Sequence, residues 1–203
     1  MHQEILNKDQ LDLLPLVKEF RREFCLAGGT AVALQIGHRR SVDFELYKTT
    51  PLKPVRIISK ISASGFSYSV TRKVDDQLNV TVNNVMFTFF QYPFEIDCMI
   101  KYEGLQMPDL LTLAAMKAYA LGRRSKWKDY VDLYFISKNH HNLEEIIKKA
   151  EEIFGQLFSE KLFRAQLCYF EDIDMSEAVE FPGPEVPAEE IKKHLINVST
   201  DIL

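Results

Sequence analysis

The period of apolar residues changes near the middle of the chain, and that change divides it. Within 9–23, Leu11, Leu14, Val17 and Phe20 recur every third residue, which is one face of an amphipathic helix. Pro15 falls inside that pattern, where it either delays the helix start or kinks it. A short apolar run, 24–27, ends at Gly28-Gly29 and predicts a buried strand meeting a tight turn. Thr30 is placed to cap a following helix that carries Ala31 and Leu34 and stops near Gly37. From Ser41 to Tyr47 the period drops to two. Val42, Phe44 and Leu46 point one way; Ser41, Asp43, Glu45 and Tyr47 point the other. The pattern predicts a strand with one apolar and one acidic face.

A helix follows over 52–64, ending at Gly65, and then strands over 66–73, 77–82 and 85–92. Asp75-Asp76 and Asn83-Asn84 are the turn signals between them, and Phe87, Phe89 and Phe90 read as sheet core. The stretch 93–106, which holds Asp97, has no clear period and reads as a linker. Beyond Pro108 the pattern is helical over 109–122, 126–138, 143–153 and 159–168, with Ser125 as the expected cap of the second. Pro182, Pro184 and Pro187 stiffen the connection to a final helix over 187–197. The expected class is α+β: a mixed β-sheet with flanking helices, then a helical C-terminal half. The expected division is a sheet domain over 1–105 and a helical domain over 106–203 that completes an active-site cleft.

Composition narrows the picture only a little. With 203 residues, 46% hydrophobic and 27% charged, the chain can bury a core and is neither disordered nor fibrous. A net charge of -4 argues against a polyanion binder as a whole but leaves a local basic groove open. Cys25, Cys98 and Cys168 are far apart and odd in number, which reads as reduced thiols in a cytoplasmic protein. Neither a signal peptide nor a membrane span is expected.

The chemistry concentrates in two places. Asp43 and Glu45, two apart on a strand, project to one point, and two adjacent carboxylates are relieved by a divalent cation such as Mg2+. A solvated strand face is the plainer alternative for that pair alone. Gly28, Gly29 and Thr30 let a backbone approach phosphate at a helix start; a turn needing glycine only for sterics is the alternative. Arg39, Arg40 and Ser41 precede the acidic strand and suit phosphate or an RNA backbone, although 38–40 also suits a solvated helix end.

The run Leu26-Ala-Gly-Gly-Thr-Ala-Val-Ala-Leu-Gln-Ile-Gly-His-Arg-Arg-Ser-Val-Asp-Phe-Glu-Leu-Tyr47 resembles the first motif of the AbiEii/AbiGii toxin family of nucleotidyltransferases. Leu113–Ala120 with Lys117, and Arg123–Ile136 with Asp129, resemble a second motif, and Leu167–Asp172 echoes a third. The resemblance implies a polymerase-beta-like fold. It also implies transfer of a nucleoside monophosphate from a nucleoside triphosphate to RNA such as tRNA, or to protein. The chain would be the toxin of a toxin–antitoxin or phage-defence pair, with a cognate antitoxin. The resemblance assigns metal binding to Asp43 and Glu45, and triphosphate binding to Gly28, Gly29, Thr30 and Ser41. Lys117 would offset phosphate charge, and Asp129 would orient Lys117 or the acceptor.

Two departures stand out. The family's second acid is usually Asp; Glu45 moves the oxygens by about an ångström. Related transferases often carry a third acid on a neighbouring strand, where this chain has Thr88; Asp97, after Pro93, is the candidate substitute. These departures leave a second expectation, a nucleotide- or partner-binding module of the same fold without turnover. Nucleotidylation of a small molecule is a third. Plainer readings also exist for the helical half: Lys128 and Asp132 as a surface ion pair, and Lys117 as a lysine reaching outward from a core helix. Arg123, Arg124, Lys126 and Lys128 are the basic residues expected to guide tRNA.

Overall fold

The structure, a computed structural model, describes residues 1–201, and these divide into two units after Asp109. In the first unit, Asn7 opens helix α1 (Lys8–Lys18) with a capping box. Its side chain accepts from the Gln10 N–H at 2.8 Å, while the Gln10 side chain accepts from the Asn7 N–H at 3.1 Å. The helix is shorter than its apolar period suggests, because 19–23 closes into turns that tuck Phe20 and Phe24 under the sheet. Pro15 stays inside α1 on its exposed side.

Five strands form one sheet: β1 (Cys25–Ala27), β2 (Asp43–Lys48), β3 (Tyr68–Lys73), β4 (Gln77–Val82) and β5 (Val85–Gln91), in the order β1-β2-β5-β4-β3. Only β2 and β5 run parallel. Helix α2 (Gly28–Ile36) joins β1 to β2, and α3 (Pro54–Ala63) joins β2 to β3. Leu26, Phe44, Leu46, Leu78, Val80, Phe87 and Phe89 share the buried face. There the Phe89 ring meets Phe20 at 4.8 Å and Phe24 at 5.4 Å. Phe90 is on the other face, 5.9 Å from Tyr47, so it is not part of that core. Asn83 and Asn84 both take positive φ, which completes the tight β4–β5 hairpin their sequence predicts. Strand β3 is exposed at all six residues and is slipped by a bulge between Val70 and Arg72.

Four expectations for this unit are corrected. Thr30 does not cap α2; Gly28, at φ 66°, lets the helix start three residues earlier, with Ala27 as cap. Val42 is 54% exposed because the strand begins only at Asp43. The linker contains a hairpin, β6 (Ile100–Tyr102) and β7 (Leu105–Met107), turned by Glu103 and Gly104 at positive φ. The thiols are not all free: Cys25 and Cys98, 73 residues apart, are joined as a disulfide with Cα atoms 6.5 Å apart. Segment 92–99 returns beside β1, a proximity that sequence spacing hides. Cys168 is the free cysteine.

The second unit is helical: α4 (Leu110–Leu121), α5 (Trp127–Asn139), α6 (Leu143–Phe154), α7 (Glu160–Leu167) and α8 (Ala188–Thr200). Asn142 and Glu145 build the capping box of α6. Ser125 does not cap α5. Its carbonyl instead accepts from the Asp174 N–H at 2.7 Å, tying a distant loop to the helix start. Trp127, Tyr130 and Tyr134 are buried in the packing of this unit. Among the described residues, no helix is long and apolar enough to cross a membrane.

Candidate functional site

Asp43 is the first residue of β2 and lies beyond the reach of β1, whose pairing stops at Glu45. Its carbonyl therefore needs another donor. The Thr30 hydroxyl donates to it at 2.5 Å, and the Gln10 amide reaches it at 3.5 Å. A hydroxyl has one proton to give, so Thr30 is then an acceptor for Ser41, 2.8 Å away. The Ser41 hydroxyl also lies 3.4 Å from the Asp43 carboxylate. Thr30 and Ser41 are buried, while Asp43 is half-buried. The result is a fixed main chain beneath a carboxylate that has no ion-pair partner among the described residues.

Glu45 shares the face of Asp43, and Thr88 stands beside it on β5. Its carboxylate lies directly over Gly28, so that a Cβ there would overlap the Glu45 Oε2 atom. Gly28 thus answers two demands, positive φ and room for Glu45. A Cβ on Gly29 would overlap a guanidinium nitrogen of Arg39. Arg39 is buried rather than solvated, which corrects the helix-end reading, whereas Arg40 is exposed. The Arg39 Nη1 donates to the Arg40 carbonyl at 2.9 Å. A carboxylate and a guanidinium therefore crowd the first turn of α2.

Two hard carboxylate oxygen sets on one strand face suit a magnesium ion that draws its other ligands from phosphate and water. Among the described residues no third His, Cys, Asp or Glu joins them. Thr88 leaves the neighbouring strand without an acid. Asp97 is exposed in irregular chain, close enough to Tyr47 to add to the burial that drives the tyrosine's pKa upward.

In the second unit, Lys117 on α4 is buried among Leu113, Ala114 and Leu121, not reaching out to solvent. Its ammonium lies 2.6 Å from Asp129 and 2.6 Å from Asp132, both on α5 and three residues apart on one face. Arg124 closes the other side of Asp129, with Nε donating at 2.9 Å and Nη2 at 3.3 Å. Two cations thus face two carboxylates. Burial pushes the Asp129 pKa up, but Lys117 and Arg124 outweigh it and hold the group below the ordinary carboxylate value. Asp132 was missed by sequence reading, which paired it with Lys128. Lys128 instead meets Glu177 at 3.0 Å. The spacing of Asp129 and Asp132 behind Lys117 was the available signal.

The fold has solved counterparts. MenT4, a nucleotidyltransferase toxin from Mycobacterium tuberculosis, matches with TM-score 0.63 and 14% identity over 96% of this chain and 83% of its own. A candidate nucleotidyltransferase from H. pylori matches with TM-score 0.59 and 15% identity over 94% of this chain and 91% of its own. The fold is therefore that of a nucleotidyltransferase. The chain belongs to the AbiEii family of nucleotidyl transferase toxins of type IV toxin–antitoxin systems, whose family model matches residues 73–193. An uncharacterised protein of Aquifex aeolicus is 28% identical over 193 residues, covering 82% of this chain and 84% of the relative. The family match contains Lys117, Asp129 and Asp132. The Gly28 turn and β2 lie outside it and are covered by the fold likeness.

Proposed function

We propose that the chain transfers a nucleoside monophosphate from a nucleoside triphosphate to RNA such as tRNA, as a cytoplasmic toxin restrained by a cognate antitoxin. Protein is the alternative acceptor. The observation that carries the reading is Asp43: a carboxylate whose main chain is fixed by the Thr30 hydroxyl, beside a glycine-opened helix, with no ion-pair partner among the described residues. Asp43 and Glu45 are the residues that would hold magnesium, which when bound neutralises phosphate charge and polarises the reacting phosphorus. The rest of the work is positioning. Gly28 and Gly29 present the start of α2 to the triphosphate, and Arg39 adds positive charge there. We assign to Lys117 compensation of phosphate charge and to Asp129 the orientation of Lys117.

The test incubates the chain with each labelled triphosphate, magnesium and either tRNA or lysate protein. Label transfer to RNA that disappears in Asp43→Asn is expected. Absence of transfer to any acceptor, or transfer that survives Asp43→Asn, overturns it.

The position of Glu45 favours a second reading, a nucleotide-binding module without turnover. Its carboxylate lies over the turn that a phosphate would approach. Calorimetry that finds magnesium-dependent triphosphate binding, combined with no product on any acceptor, would select that reading.

A further inference from the structure

The basic residues most prominent in the sequence, Arg123 to Lys128, are largely neutralised in the structure. Arg124 is held by Asp129, and Lys126 and Lys128 share Glu177 at 2.7 Å and 3.0 Å. Arg123 stacks over the Tyr119 ring, 3.5 Å from its centroid. A different cluster, in the first unit, sets four cations around a single ion-paired carboxylate. Lys53, Arg56 and Lys60 rise along one face of α3, and Lys48 at the end of β2 stands behind them. Glu23 is the carboxylate they share. It lies 3.1 Å from Arg56, 3.7 Å from Lys60 and 4.0 Å from Lys48. Lys53 is exposed and has no ion-pair partner among the described residues. Burial lowers the Lys48 pKa, Glu23 opposes that, and Lys53 and Arg56 lower it further. The cluster lines an open groove of about 610 Å³ walled by Lys53, Pro54, Val55, Arg56, Ser59 and Lys60.

We propose that this groove docks the phosphodiester backbone of RNA, with Lys53, Arg56 and Lys60 as the phosphate contacts. A surplus of cations over one carboxylate fits a partner of regularly spaced negative charge, and Ser59 adds a neutral donor for phosphate oxygen. An acidic protein partner is less well matched. Protein interfaces centre on buried aromatic or arginine anchors in pockets, whereas Arg56 is exposed here and the groove is walled by no aromatic side chain among the described residues. The groove would serve the acceptor, and in that role it rests on the transfer reaction proposed above; RNA binding itself does not depend on turnover.

The experiment titrates labelled total tRNA, a labelled polyglutamate and a labelled triphosphate into the full chain and into Lys53→Glu/Arg56→Glu, by fluorescence anisotropy over a salt series. Both positions are exposed, and circular dichroism checks that the variant is folded. Expected is a loss of tRNA affinity of about tenfold or more, a salt slope shallower by about two, and unchanged triphosphate affinity. The charge-conserving Lys53→Arg/Arg56→Lys should keep wild-type affinity. Unchanged tRNA affinity and slope would overturn the proposal. So would polyglutamate that binds the wild type as tightly as tRNA, or equal loss of triphosphate binding. Transfer activity that fails on every acceptor while tRNA binding still depends on Lys53 and Arg56 would remove the catalytic reading and leave the groove standing.

Discussion

Asp43 and Asp129 are both aspartates at the start of an element, and their surroundings are opposite. Asp43 is half-buried, its backbone fixed by Thr30, with no cation beside its carboxylate. Asp129 is almost fully buried and receives Lys117 on one side and Arg124 on the other. A carboxylate without an ion-pair partner is available to a ligand. One enclosed by two cations is already part of the protein's stability. The contrast separates the two clusters by what their loss should do: Asp43 should matter to chemistry and little to folding, while the Lys117 cluster should matter to both.

The largest expected effects test that separation directly. Asp43→Asn should reduce nucleotide transfer by about a hundredfold or more with a change in unfolding free energy within about 0.5 kcal/mol. Lys117→Met should destabilise the chain by about 3–5 kcal/mol, because it strands Asp129 and Asp132 as buried charges without an ammonium. Urea unfolding of both variants decides it; equal stability losses would erase the contrast. A smaller effect is expected at Gly28. Alanine there meets both a left-handed backbone and the Glu45 carboxylate, so Gly28→Ala should cost about 1–2 kcal/mol from the backbone alone. Combining it with Glu45→Ala should recover the part due to overlap, read as a coupling in a double-mutant cycle.

The third effect is a pH dependence. The Asp129 pKa is lower in the folded chain than in the unfolded one, so its contribution is present at neutral pH and is lost as pH falls below about 4 toward the folded value. Acid titration followed by circular dichroism should show a steeper loss of the helical signal for wild type than for Asp129→Asn over that range. The smallest effect belongs to the exposed pairs. Lys126→Ala/Lys128→Ala removes both partners of Glu177 and should change stability by about 1 kcal/mol or less.

Local chemistry made much of the fold legible. The two-residue period around Phe44 and Leu46 marked β2, the Asn83-Asn84 turn marked a hairpin, and Gly37 ended α2 where its left-handed backbone was expected. The nucleotidyltransferase class was readable in the runs 26–47 and 113–136. What stayed hidden depends on distance along the chain. Cys25 and Cys98 meet because segment 92–99 folds back beside β1, and no spacing rule conveys that. The β6–β7 hairpin turns on Glu103-Gly104, a weaker signal than Asn-Gly, over strands of three residues. In the site, Asp132 was assigned to Lys128 because four residues separate them on one helix. The true partner, Lys117, comes from the helix packed against it. Arg39 reads as solvent-facing by composition and is buried because Gly29 leaves it space.

Strand β3 carries a consequence of another kind. It is the last strand of its sheet, open to solvent at all six residues, with Tyr68 and Val70 among them. Such a border offers unpaired peptide groups to any extended chain nearby, the usual start of edge-to-edge aggregation. Here the slip between Val70 and Arg72 breaks the regular repeat, and Arg72 and Lys73 set like charges along the rim. A second copy of the same edge would meet a mismatched ladder and mutual repulsion. A sheet that ends openly in water is in this way kept from growing by its own irregularity and charge.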